Sequence, residues 1–84
     1  MQLKNESVDT THDVARMAFR IKQLMDRASL AARSALSCLA VMDDRGASWH
    51  RRDADAAFVG AEAVIADART ANLFSEVADA LART

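Results

Sequence analysis

The chain has 84 residues, of which 51% are apolar and 27% charged, with a formal net charge of −1 and a pI near 6.0. That length fits one domain, near the lower limit for a chain that must bury its own core. The charge balance excludes wholesale attraction to nucleic acid or to an anionic membrane surface. One cysteine, Cys38, excludes an internal disulfide. The longest apolar-leaning run, Ala35 to Met42, is far short of the roughly 20 residues that span a bilayer.

Nineteen residues are alanine, there is no proline, and there are only two glycines and no tyrosine. Alanine has the best helix propensity but buries little area. The fold class expected is therefore all-α. Residues 1–8 are polar, carry no apolar core of a signal peptide, and read as a flexible lead-in to a cytoplasmic protein.

Thr10 and Asp13 stand at the Thr-x-x-Asp spacing of a capping box. A helix is expected from there to about residue 45. Val14, Ile21, Ala28, Ala35 and Met42 recur every seven residues, Met17, Leu24, Ala31 and Cys38 follow each by three, and Ala18, Met25, Ala32 and Leu39 by four. This a/d/e stripe over four heptads marks a helix packed along its length. Gly46 suits the residue that ends it, and Ser48 suits the cap of the next helix. The turn is thus expected over 46–48.

A second helix over 49–82 carries the stripe Ala54, Ala57, Phe58, Ala61, Val64, Ile65, Ala68 and Ala71. Beyond Thr70 the phase slips, so a short third helix after a break near 70–72, capped by Asn72, is the alternative. Between Val14 and Met42 the first helix has five cations against Asp26, whereas six acids follow from Asp53 onward. That asymmetry favours an antiparallel helical hairpin, although an exposed ion pair contributes only about 0.2–1 kcal/mol. Leu30, Leu36 and Val41 fall outside the heptad stripe. Their surplus apolar surface leads to the expectation of a homodimer, a four-helix bundle by two-fold symmetry. Leu30, Ser34, Leu36, Ser37 and Val41 are its candidate interface.

Chemistry-bearing clusters are sparse. Asp43, Asp44, His50, Asp53 and Asp55 include only one histidine and lack the alternating oxygens of a calcium loop. They read as a solvated turn, so no metal or other cofactor is expected. Trp49 and His50, followed by Arg51 and Arg52, place an aromatic beside cations, as contact sites often do. Asp53 and Asp55 weaken that field, and a hairpin-end role competes. Arg16, Arg20 and Arg27 share one side of the first helix, and Phe19 lies opposite the stripe among them. Cys38, on the stripe without a nearby histidine, reads as a small hydrophobe.

No nucleophile–base pair or paired acid is present. In size and layout the chain resembles the small all-α chorismate mutases. Their site requires a lysine late in the first helix, but the two lysines here are Lys4 and Lys22. The expectation is a non-enzymatic helical protein acting through protein–protein contacts, as an adaptor, inhibitor, chaperone or anti-activator. Phe19, Arg16, Arg20, Arg27, Trp49, His50 and Arg51 are its candidate partner-binding residues. An RNA- or DNA-binding hairpin using the basic face of the first helix is the alternative.

Overall fold

The computed structural model describes the backbone of residues 2–84 and the side chains of residues 10–84. It contains three helices and, among the described residues, no strand: α1 Gln2–Ala40, α2 Asp44–Thr70 and α3 Phe74–Ala82. The fold is all-α. The lead-in expected over residues 1–8 lies outside the residues described with side chains. No break occurs at the Thr10–Asp13 box; α1 passes through it, and Asp13 pairs instead with Arg16 one turn on. With no proline in the chain and no glycine before Gly46, nothing stops the helix there.

α1 ends about five residues earlier than expected, and the single helix expected over 49–82 is instead two, broken after Thr70 as in the alternative reading. α1 closes at Ala40, and its left-handed residue is Met42 (φ 62°) rather than Gly46. The Asp43 amide donates to the Cys38 carbonyl (2.8 Å), and the Met42 amide to that of Leu39 (3.0 Å). This is the Schellman pattern, which satisfies the last carbonyls of the helix. α2 closes identically: Asn72 is left-handed (φ 60°), and Leu73 and Asn72 donate to Ala68 and Arg69. Asn72 therefore ends α2 instead of capping α3, which starts behind Leu73.

The turn is residues 41–43, not 46–48. Asp43 caps α2, its carboxylate accepting from the Gly46 amide at 2.9 Å. Gly46 thus stands in the first turn of α2. A Cβ there would collide with the Asp43 carboxylate and approach Cys38 Sγ to 2.8 Å. Glycine is required here by contact, not by backbone angle. Ser48 is displaced into the helix body.

α2 returns along α1. Leu24 lies against Gly60, Arg27 against Asp53, and Cys38 against Gly46. The residues buried along the α1–α2 seam are Ile21, Leu24, Ala28 and Ala31 on α1 and Ala47, Ala54, Ala57, Ala61 and Ala68 on α2. These are the a and d positions of the two heptads. On α2 the a position is alanine four times running. Such a seam lets helices approach at the short end of the usual 8–10 Å.

α3 closes one end of this pair. Leu73 and Val77 form a cluster with Ala18, Ile21 and Ala68, and Val14, Met17, Ile65 and Leu81 pack around it. The molecule is a slab of 61 × 22 × 15 Å, its long axis close to the length of about 58 Å expected for a 39-residue helix. No helix among the described residues is long and apolar enough to cross a membrane.

Two substitutions at the turn test this account by urea denaturation. Asp43→Ala should lower stability by about 1 kcal/mol through the lost cap. Met42→Gly should raise the stability of the single chain by about 1 kcal/mol by relieving the left-handed side chain.

Candidate protein-interaction surface

The seam has two flanks, and the Arg27–Asp53 pair tells them apart. The Arg27 guanidinium meets the Asp53 carboxylate at 2.6 Å across the two helices. One turn below and above Arg27 on the same side stand Gln23 and Ala31, with Arg20 and Ser34 one heptad away. Arg20 donates to Gln23 at 2.8 Å. A groove of about 360 Å³ opens on this flank between Arg16, Met17 and Arg20 of α1 and Val64 and Asp67 of α2. Arg16 and Arg20 line this groove together, whereas Arg27 lies a heptad beyond Arg20 on Asp53. The structure also sets Asp13, Asp53 and Asp67 among these cations.

The other flank is mainly apolar, its charges being local pairs such as Arg51 with Asp55. Its α1 residues are Met25, Ala32 and Leu39, with Ser29 and Leu36 beside them; from α2 come Phe58 and Ile65, with Arg51. Met25 is 42% exposed, Phe58 44%, Leu39 54% and Leu36 66%. Met25, Leu39 and Phe58 are e positions of the a/d/e stripes, and Leu36 stands beside them outside the stripe. The structure splits that stripe: a and d meet α2, whereas e stays open wherever α3 does not cover it. Ala18, the e position under α3, is buried. Sequence periodicity exposed this face, but only the position of α2 shows which part of the stripe it leaves bare.

The five residues expected at an oligomer interface do not share one face. Leu30, Ser34, Ser37 and Val41 follow the i, i+4, i+7, i+11 spacing of a single outer stripe. Leu36 lies apart from them, on the apolar flank. Phe19 is exposed on the outermost side of α1, where Asp26 and Arg33 follow at one-heptad spacing.

At the turn end, Trp49 is 62% exposed and meets the His50 ring edge-on at 5.1 Å between centroids. It does not close over Val41 and Met42, which stay exposed. A shallow groove of about 330 Å³ runs past Asp44, Arg45, Ser48, Trp49 and Arg52. Arg51 pairs with Asp55 at 3.5 Å, one turn on. Trp49 and the Arg16–Arg20 groove are far apart along the slab, because Trp49 falls a turn beyond Asp53 toward the chain reversal.

Cys38 is half-buried behind this corner. Burial pushes its thiol above the usual range, and the negative Asp43 carboxylate, which accepts from the thiol, adds to the rise. The group is therefore a neutral thiol at physiological pH. Its contribution to stability is present below the ordinary thiol pKa and is lost as pH rises through the raised value. No group of three or more His, Cys, Asp or Glu side chains among the described residues is placed to hold a metal ion.

Thiol titration checks the corner geometry. At about pH 8, Cys38 should react with an aromatic disulfide more slowly than free cysteine, since only the thiolate attacks. Asp43→Asn should speed the reaction while keeping the cap, because asparagine caps as well as aspartate. No family model, curated protein or solved structure matches this chain.

Proposed function

We propose that this protein is a small, non-enzymatic, cytoplasmic helical regulator of the adaptor, inhibitor, chaperone or anti-activator type. In this reading it assembles as a homodimer of hairpins, a four-helix bundle, and acts by binding another protein. The observation that carries it is the inverted distribution of its apolar side chains. Among the described residues, eight of the twelve buried ones are alanine, whereas Phe19, Leu30, Leu36, Leu39, Trp49 and Val59 are all more than half exposed. Leu36 and Leu39 share one flank with the partly exposed Met25 and Phe58, a contiguous apolar patch of the kind that marks contact surfaces, and tryptophan next to arginine is a frequent interface anchor.

The nucleic-acid reading has less support. Arg27 is engaged by Asp53, Arg16 by Asp13, and Asp67 lines the same groove. Phosphate binding needs a face of uncompensated cations. The same acids suit a mixed-charge protein surface.

Affinity capture from host lysate tests the function, with Phe19→Ser and Trp49→Ala as paired baits beside the wild type. Both residues are exposed, so each variant should keep its thermal midpoint. At least one should lose most of a band that the wild type retains under nuclease treatment. Capture unchanged in both variants would contradict the assigned contact residues. Loss of the band under nuclease would favour the nucleic-acid reading.

A further inference from the structure

We infer that a second copy of this chain covers the apolar flank, running antiparallel, with α1 crossing its counterpart at Ala32. The inference rests on the homodimer reading above and specifies its face and register. It starts from the shape of the open surface. On α1 that surface begins just beyond Ile21, where the cluster held by α3 ends, and stops at the turn after Leu39. One end is walled by α3 and the other is the free end of the slab. An antiparallel copy of the same length fits between, each turn abutting the other copy's α3.

The side chains support the same centre. A two-fold axis across the slab at Ala32 sets Met25 opposite Leu39 of the second copy and Ser29 opposite Leu36, large against small in the latter pair. Because α2 returns with Leu24 against Gly60, the same axis crosses α2 at about Arg52. It then sets Phe58 near the exposed Ser48, and Arg51, paired with Asp55 in its own chain, close to Asp55 of the other copy. Both helices thus agree on one axis, with bulky groups meeting small ones as close packing demands. Lys22, which pairs with Asp26 of its own chain at 2.8 Å, falls level with the Asp43 carboxylate of the other copy, so opposite charges approach at each end of the interface. Met42, left-handed and 90% exposed in the single chain, meets the other copy's α3 in this arrangement.

A competing two-fold axis, along the helices, would stack α1 on α2 of the other copy. It sets Ala32 near Arg51 and leaves α3 beside α3. One cysteine experiment separates the two. In a Cys38→Ser background, Ala32→Cys is oxidised mildly and run alongside Ser37→Cys, which lies on the outer stripe. The expected result is that Ala32→Cys gives mostly cross-linked dimer and Ser37→Cys at least tenfold less. Sedimentation equilibrium on the same reduced samples should report twice the 9.1 kDa chain mass.

Each other outcome overturns a stated part. A dimer by sedimentation that cross-links only as an Ala32→Cys, Arg51→Cys double variant contradicts the antiparallel axis. A dimer that cross-links at Ser37 moves the interface to the outer stripe. A chain that sediments at 9.1 kDa while remaining helical overturns the homodimer reading itself, leaving the flank to a different partner. Leu36→Lys supplies a check without cysteine chemistry, since it should reduce dimer affinity by at least tenfold.

Discussion

Alanine at the contact between α1 and α2 is the constraint from which the rest of the structure follows. Ala47, Ala54, Ala61 and Ala68 occupy one heptad position of α2, and Ala57 another, all buried against Leu24, Ala28, Ala31 and their neighbours. Small side chains bring the two backbones close and fix their register. They remove little apolar area from water, at about 25 cal/mol per Å². The larger side chains that would normally fill a core are pushed outward by this arrangement. Among the described residues, buried leucine, isoleucine and valine are confined to Ile21, Leu24, Leu73 and Val77.

The two flanks of the seam follow from it. On one, long side chains bridge the helices through charge, with Arg27 on Asp53. Such a pair contributes little energy in water but specifies which way α2 lies. On the other flank, α3 buries Ala18 beneath Leu73 and Val77 and then ends. α3 is only nine residues long and has no side-chain cap at its start, so its packing, not its helix propensity, holds it in place. The remainder of that flank stays open, with Met25, Leu36, Leu39 and Phe58 exposed on it.

The helical class and the a/d/e stripe were legible in the sequence because alanine abundance and seven-residue recurrence are local signals. The phase slip beyond Thr70 was also readable, and it corresponds to the Asn72 break. The first turn was not. Gly46 resembles a helix end by composition, but Asp43 holds its amide and Met42 takes the left-handed position that glycine usually fills. That choice depends on contact between Asp43, Cys38 and Gly46, which no spacing reveals. The candidate site was legible in its parts only. Arg16, Arg20 and Arg27 do share a side, but Leu36 separates from Leu30 because face assignment needs the direction from which α2 approaches.

The proposed homodimer would place much of the chain's stability in contact with a second copy, because the alanine seam buries so little area. The direct measurement is the thermal unfolding midpoint as a function of protein concentration, followed by circular dichroism. If folding and association are coupled, each tenfold rise in concentration adds about 1.4 kcal/mol to the folded dimer. The midpoint should then climb by about 3–6 °C per decade for a folding unit of this combined size. One midpoint held across a hundredfold range of concentration would contradict the account.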